Sequence, residues 1–242
     1  MKNKKICIIG LGYVGLPLAI EFSKFYNVIG YDISKNRIKE LKQFYDRNNQ
    51  FNKSILKKNK KLILTSSDKQ IGNSNIYIVT VPTPIDKKFK PDLKLLINAT
   101  KLVAKHLNKG DYVIFESTVY PGCVENVCIP LIEKIRKFKV NIDFFCGYSP
   151  ERINPGDKNN TLPKIKKVVS GSNITSLNAI YNLYKKIIKA GVHKVSNLRT
   201  AEAAKIIENV QRDLNIALIN ELALIFNKMN IDTDEVINAA ST

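Results

Sequence analysis

The chain has 242 residues, of which 44% are hydrophobic and 25% are charged. These proportions are typical of a soluble globular protein and exclude a disordered tail, a collagen-like repeat and a disulfide-dense mini-scaffold. The 39 Lys and Arg residues against 21 Asp and Glu give a net charge of +18, which first suggests nucleic acid or a membrane surface as a partner. Because the lysines are scattered and few aromatic residues lie among them, we expect neither partner. We interpret the densest lysine runs, 57–61 and 164–167, as solvated faces.

The cysteine pattern favours a reducing cytoplasm. None of the four cysteines forms a CxxC pair or has a histidine at metal-ligand spacing, so we expect no metal site. Cys7 lies in an apolar run, where a thiol acts as a small hydrophobe. No apolar stretch reaches the ~18 residues that a transmembrane helix needs.

Short apolar runs alternate with longer amphipathic ones over most of the chain. This alternation predicts βαβ units and an α/β, Rossmann-like, doubly wound and mainly parallel sheet with helices on both faces. The expected strands are 5–9, 28–32, 62–65, 76–81, 112–117, 143–147 and 168–171. The expected helices are 15–25, 35–44, 92–107, 123–138 and 174–188.

The pattern changes near residue 197. From there to about residue 229 there is no Gly or Pro, and apolar residues recur at spacings of three and four. This periodicity predicts one long helix with an apolar stripe. A further helix is expected from 232 or 233 to 240.

The segment KICIIGLGYVG, residues 5–15, is an apolar strand followed by a glycine-rich turn and the start of a helix. In such a turn the first glycine permits the tight bend, the second lets the backbone approach a pyrophosphate, and the third lets helix and strand pack closely. The helix N-terminus then offers free N–H groups and a partial positive charge to phosphates. The predicted phosphate-binding residues are Gly10, Gly12, Tyr13, Val14 and Gly15.

Asp32 ends the next expected strand, 22 residues after Gly10. A carboxylate there accepts hydrogen bonds from the adenosine ribose and repels a 2′-phosphate, which favours NAD over NADP. Arg37 is close enough in sequence to leave NADP open, and we count it among the residues that bind the cofactor.

Three loops follow expected strands at residues 81–84, 116–122 and 148–157. The carboxyl ends of parallel strands are where doubly wound sheets bind ligands, so these loops bring hydroxyls, a carboxylate and a guanidinium to one edge. The loop residues expected at the cofactor are Pro82, Thr83, Ser117 and Thr118.

These motifs together resemble the UDP-glucose/GDP-mannose dehydrogenase superfamily, and most closely its branch that oxidises UDP-N-acetylglucosamine or UDP-N-acetylgalactosamine. The matching segments are GLGYVGLP (10–17), YD (31–32), VPTP (81–84), ESTVYPG (116–122), SPERINPGD (149–157) and AEAAKIIENVQRDLNIALINELALIF (201–226).

The resemblance implies oxidation of a sugar C6 alcohol to the uronic acid with two NAD+, through an aldehyde and a cysteine thioester, in surface polysaccharide synthesis. By motif position, Lys205 and Asn209 stabilise the developing oxyanion, Glu151 is the base for thioester hydrolysis, and Thr118 positions the water. The implied substrate-binding residues are Glu151, Arg152, Lys205, Asn209 and Arg212.

One departure from the family is expected to matter. The nucleophilic cysteine of the family lies in a Gly-Gly-His-Cys segment that this sequence does not contain. We therefore interpret the chain as an N-terminal fragment. In this interpretation residues 1–196 form the NAD-binding domain, residues 197–242 begin a truncated central domain that forms a homodimer through the long helix, and a UDP-binding domain is absent. The alternatives are a non-catalytic dimerisation or regulatory partner and a UDP-glucose 6-dehydrogenase.

Overall fold

The computed structural model describes residues 4–152 and 161–242. Their strands form an eight-stranded sheet in the order β3-β2-β1-β4-β5-β6-β7-β8. The strands are β1 (Lys5–Ile9), β2 (Asn27–Tyr31), β3 (Leu62–Thr65), β4 (Ile76–Val79), β5 (Tyr112–Phe115), β6 (Phe145–Tyr148), β7 (Lys167–Gly171) and β8 (Val192–Lys194). The helices are α1 (Gly15–Ser23), α2 (Lys35–Lys42), α3 (Lys53–Lys58), α4 (Lys94–His106), α5 (Ile129–Arg136), α6 (Ile174–Tyr184), α7 (Leu198–Lys228) and α8 (Thr233–Ala240).

The predicted architecture, a doubly wound and mainly parallel sheet followed by a long helix, is confirmed. Strands alternate their side chains between two buried layers. In β1, Ile6 and Ile8 pack with α1, α2 and α6 on one face, whereas Cys7 and Ile9 pack with α4 and α5 on the other. Burial on both faces is why these strands are continuously apolar in sequence.

Four elements differ from the prediction. β7 runs antiparallel to β6, and the short strand β8 then runs parallel to β7. The short helix α3 also lies where we expected none; like β8, it carries too few apolar residues to give a periodic signal. The helix expected over 123–138 begins as a π-helical turn, Val124–Cys128, and α5 ends at Arg136 because Lys137 has a φ of +58°.

The parallel ladder continues for one residue past the strands. Backbone hydrogen bonds of 2.8 to 3.0 Å join each of these residues to the last residue of a neighbouring strand. The residues that donate are Gly10, Thr80, Glu116 and Ser149. The loops that follow β1, β4, β5 and β6 therefore begin at one height along the same sheet edge.

The chain divides into two compact units, Met1–Ala203 and Ala204–Thr242. The first contains the sheet and both apolar layers, and α7 runs across the boundary. The second contains the rest of α7 and the helix α8, which begins after an Asp232 cap whose side chain accepts a hydrogen bond from the Glu235 N–H. Within the described ranges, no helix is long and apolar enough to cross a membrane.

The close packing of α6 on the sheet depends on Gly171. A Cβ added at this position would lie 2.3 Å from the backbone nitrogen of Leu177 and 2.6 Å from Ser176 Oγ. We predict that Gly171→Ala lowers the free energy of unfolding by about 1–3 kcal/mol, because backbone must move to accept the methyl group. Chemical denaturation measures this change. Gly12→Ala is the matched control, since a Cβ there meets no atom within 4 Å and stability should not fall. Equal stabilities for the two variants would contradict the packing described.

Candidate functional site

The glycine turn between β1 and α1 is built around close backbone contacts. Gly10 has a φ of +94°, a conformation that favours glycine. A Cβ at Gly15 would lie 1.8 Å from the Gly10 carbonyl oxygen and 2.5 Å from Thr80 Oγ1, so only glycine fits there. Around Gly12, by contrast, an added Cβ would meet open space. The turn is therefore packed underneath and open above Gly12, where a ligand can approach the main chain.

Helix α1 starts directly from this turn, with Val14 as its N-cap residue. The first N–H groups of an α-helix have no partner within the helix, and its dipole places a partial positive charge there. The carbonyl of the exposed Tyr13 accepts a hydrogen bond of 3.0 Å from Gln50 Nε2, which ties the turn to the loop after α2. The arrangement suits an anion lying over the turn.

Asp32 follows β2 beside the turn and is held by two backbone donors. Its Oδ2 accepts the Leu11 N–H at 2.8 Å, and its Oδ1 accepts the Ser34 N–H at 2.8 Å. The carboxylate is half-buried and fixed in orientation. This geometry is suited to accepting ribose hydroxyls next to a bound diphosphate.

The Arg37 side chain points into the protein and contacts the glycine turn. The residue is 5% exposed, its Nε donates to the Leu11 carbonyl at 2.9 Å, and Nη2 lies 2.8 Å from Asp46 Oδ1. Arg37 and Asp32 therefore hold the same residue, Arg37 through the Leu11 carbonyl and Asp32 through the Leu11 N–H. Direct contact between Arg37 and a cofactor stays a prediction.

The loops after β4 and β5 are joined by side-chain hydrogen bonds. Thr83 Oγ1 donates to the Thr118 carbonyl at 2.5 Å, and Ser117 Oγ donates to the Val81 carbonyl at 2.6 Å. Ser117 is buried, whereas Pro82 and the side chain of Thr118 are exposed. The structure thus brings these four predicted residues together at the sheet edge, with the Thr118 side chain open to solvent.

Glu151, in the loop after β6, lies against a buried lysine. The Lys167 ammonium is 3.2 Å from Glu151 Oε2 and 2.5 Å from Glu116 Oε2. Glu151 is 7% exposed, and the other two residues are 1% exposed. Glu151 Oε1 accepts the backbone N–H of Arg152 at 2.6 Å. The remaining residues of the predicted loop, 153–157, lie outside the described residues.

Among the described residues, two carboxylates share the one ammonium of Lys167, and all three groups are buried. Burial raises the pKa of Glu116 to about 7, although the Lys167 ammonium opposes the rise. Burial on its own would lower the pKa of Lys167, but the two carboxylates outweigh it and raise that pKa. The Tyr184 hydroxyl donates a hydrogen bond to Glu116 Oε1.

The interpretation of 164–167 as a solvated face is wrong for Lys167. Lys164 and Lys166 are exposed, but Lys167 begins β7 and points into the protein. One signal in the sequence was available, because Lys167 directly precedes the apolar strand residues Val168 and Val169. Lys167 and Glu116 are the candidate functional residues that sequence reasoning missed.

Lys205, Asn209 and Arg212 lie on α7 in the second unit. Their spacing of four and then three residues puts them on one face of the helix. Arg212 Nη2 is 3.2 Å from Glu208 Oε1 one turn earlier. Oxyanion stabilisation by Lys205 and Asn209 and substrate binding by all three residues stay predictions.

Near the N-terminus of α7, Glu202 joins the helix to the loop after β5. Its carboxylate is fully buried and accepts hydrogen bonds from the backbone N–H groups of Gly122 and Val124, the latter at 3.0 Å.

Residues 4–152 and 161–242 contain no group of three or more His, Cys, Asp or Glu placed to hold a metal.

Comparison with known proteins assigns these features to one family. Residues 4–188 match the NAD binding domain of the UDP-glucose/GDP-mannose dehydrogenase family, and residues 199–242 match its central domain. The chain is 53% identical, over its whole length, to a UDP-N-acetyl-D-glucosamine 6-dehydrogenase of Pseudomonas aeruginosa, and covers 57% of that protein. It is 50% identical over 99% of its length to Protein CapL of Staphylococcus aureus, and covers 56% of it.

Among solved structures, the chain is similar to a UDP-D-ManNAc dehydrogenase from Pyrococcus horikoshii. The TM-score is 0.90 with 33% identity, over 98% of this chain and 57% of the other. The chain thus spans little more than half the length of these relatives.

The open space above Gly12 gives a direct test of the phosphate-binding turn. We predict that Gly12→Ala weakens NAD binding by at least about ten-fold, because the methyl group occupies the space through which the main chain approaches the diphosphate. Isothermal titration calorimetry measures the affinity. The melting temperature without NAD should be unchanged, since the added atom touches nothing. Unaltered NAD affinity in a folded Gly12→Ala variant would count against this turn as the phosphate site.

Proposed function

The chain belongs to the UDP-glucose/GDP-mannose dehydrogenase family, and we propose that it forms the NAD-binding part of a 6-dehydrogenase that converts a UDP-N-acetylhexosamine to its uronic acid. The observation that carries this proposal is the glycine turn, packed beneath Gly15 and open above Gly12, with Asp32 fixed beside it. NAD, the cofactor of this domain family, accepts hydride from the C6 carbon when it is bound.

The residues fit NAD better than NADP. We infer that the main chain from Gly10 to Gly15 receives the diphosphate and that Asp32 receives the adenosine ribose. A 2′-phosphate would meet the Asp32 carboxylate, and Arg37, the residue predicted to leave NADP open, is already bound to Leu11 and Asp46. Pro82, Thr83, Ser117 and Thr118 would then line the cofactor from the neighbouring loops.

For the chemistry, we assign Glu151 as the base that activates water for thioester hydrolysis and Thr118 as the residue that positions this water. The exposed Thr118 side chain and the cation beside Glu151 support these roles. Lys205 and Asn209 would donate hydrogen bonds to the developing oxyanion. Arg152 and Arg212 would bind the substrate.

The names of similar proteins support the proposed substrate class. Two proteins at 53% and 52% identity are named UDP-N-acetyl-D-glucosamine 6-dehydrogenases, which favours an N-acetylhexosamine over UDP-glucose. We propose a role in surface polysaccharide biosynthesis in the cytoplasm. The four buried free cysteines are consistent with a reducing compartment.

A second candidate function is dimerisation through α7, either in a homodimer or as a non-catalytic partner. Within the second unit, large apolar side chains are exposed, and three of them, Ile207 (67%), Leu214 (63%) and Leu218 (57%), lie along one stripe, whereas Ile216 (56%) lies on the opposite side of the helix. The helical repeat of 100° per residue places this stripe nearly opposite Lys205 and Asn209. Large apolar side chains exposed together on a helix are typical of an association surface.

The cofactor assignment predicts a clear preference between coenzymes. We expect NAD to bind at least about ten-fold more tightly than NADP, because the Asp32 carboxylate repels the additional phosphate. Calorimetric titration of the purified chain with each coenzyme measures this ratio. Asp32→Asn should narrow the gap, since the amide lacks the negative charge. Equal affinity of the wild-type chain for both coenzymes would contradict the assignment.

In the same preparation we expect no steady formation of uronic acid from UDP-N-acetylglucosamine, because the Gly-Gly-His-Cys segment is not part of this sequence. NADH absorbance and mass spectrometry of the sugar follow the reaction. Sustained reduction of two NAD per sugar by the chain alone would overturn this expectation.

The apolar stripe predicts self-association. We expect the chain to sediment as a dimer in analytical ultracentrifugation, and Leu214→Glu to shift it to monomer because a charge enters the apolar contact. Asn220→Glu is the matched control, since Asn220 is exposed on the other side of the helix and should leave the dimer intact. A monomeric wild-type chain, or equal loss of the dimer in both variants, would refute association through this stripe.

A further inference from the structure

The buried cluster below the loop after β6 has a feature that the proposed catalytic roles do not use. One ammonium, that of Lys167, is shared by two carboxylates, Glu116 at 2.5 Å and Glu151 at 3.2 Å. The Lys167 ammonium therefore cannot be paired fully with either carboxylate while both are ionised. Burial makes an ionised carboxylate costly unless a partner compensates its charge.

We propose that Lys167 and Glu116 are positioning residues for Glu151: Lys167 holds the Glu151 carboxylate in place, and the ionisation of Glu116 sets how strongly Lys167 does so. This inference rests on the proposed function, in which Glu151 acts as a base.

The contacts show how Glu151 is held. One carboxylate oxygen, Oε1, accepts the Arg152 N–H at 2.6 Å, and the other, Oε2, faces the Lys167 ammonium. Lys167 also donates to the Pro150 carbonyl at 3.2 Å, so the residue before Glu151 is fixed by the same group. With both oxygens and the adjoining backbone engaged, the carboxylate has a defined orientation, which a base must have to accept a proton from a positioned water.

The same contacts couple Glu151 to Glu116. When Glu116 is ionised, the charge of Lys167 is divided between two carboxylates; when Glu116 takes up a proton from solvent, that charge serves Glu151 alone. Burial brings the pKa of Glu116 to about 7, so this change falls near neutral pH. Among the described residues, the titratable groups that interact with Glu116 are Lys167 from β7, Glu151 from the loop after β6, Tyr184 from α6 and Tyr148 from β6.

Solution NMR of the ¹⁵N-labelled chain tests this coupling through the Arg152 amide, whose N–H reports on the Glu151 carboxylate directly. We expect the Arg152 amide shift to titrate with a midpoint near the pKa of Glu116, about 7, and Glu116→Gln to abolish this inflection. The Ser34 amide, which donates to Asp32 at 2.8 Å in the cofactor site, is the internal control and should be unchanged by the substitution. If Lys167 and Glu116 served stability alone, the Arg152 amide shift would show no inflection that depends on Glu116.

A conservative pair of variants tests the lysine. Lys167→Arg keeps the charge and should retain the chemical shift of the Arg152 amide at pH 8, whereas Lys167→Met should change it, because Glu116 and Glu151 then lose the ammonium that they share. Glu116→Gln removes one buried negative charge and keeps Lys167, so this variant should fold even where Lys167→Met does not.

An Arg152 inflection that persists in Glu116→Gln, or that is absent from the wild type, would overturn the proposal. NAD affinity, measured on the same samples, is independent of this outcome. Loss of NAD binding with an intact inflection would count against the proposed function alone, and an absent inflection with intact NAD binding would count against the coupling alone.

Discussion

The position of the whole site depends on the contact of Gly15 with the Gly10 carbonyl and the Thr80 hydroxyl. The Cα of Gly15 approaches so closely that a Cβ would lie 1.8 Å from the Gly10 oxygen. Thr80 Oγ1 in turn donates to the carbonyls of Ile9 and Gly10 at 3.0 and 2.8 Å. The first helix, the first strand and β4 are therefore fixed to one another at a single point. Because α1 starts there, its positive end lies at the carboxyl edge of the sheet.

Two kinds of environment then occur along that edge. Beside β1 and β2, main-chain amides, a helix N-terminus and one fixed carboxylate form a cradle suited to a diphosphate and a ribose. Beside β5, β6 and β7, the charges are buried: Lys167 lies between two carboxylates under the Glu151 loop. The first environment suits the hydride acceptor, and the second suits a group that handles protons. The parallel strand order places the loops of both environments at the same height along the sheet.

The local features of this fold could be predicted from the sequence, because they depend on neighbouring residues. The spacing of Gly10, Gly12 and Gly15 predicts the strand, turn and helix, and β1 and β3 begin and end where expected. The doubly wound sheet follows from alternating apolar runs. The antiparallel direction of β7 could not be predicted in this way, because strand direction depends on how the chain returns to the sheet and leaves no periodic signal.

The charged contacts could not be predicted for a similar reason. Lys167 pairs with the carboxylates of Glu116 and Glu151, which are 51 and 16 residues away in sequence. Its neighbours in sequence indicate only a run of lysines. Arg37 likewise turns inward because Asp46 and the Leu11 carbonyl are present in three dimensions. A charged side chain is buried only where a partner is present, and that partner is often far away in sequence. The composition of a short segment therefore does not predict the burial.

The central claim is that the main chain between β1 and α1 binds the diphosphate of NAD. The most direct measurement is a crystal structure of the chain grown with NAD+. The account predicts the diphosphate within hydrogen-bond distance of the backbone N–H groups at the start of α1, and the adenosine ribose hydroxyls on the Asp32 carboxylate. A diphosphate bound elsewhere, in well-ordered density, with this turn left filled by side chains would contradict the account.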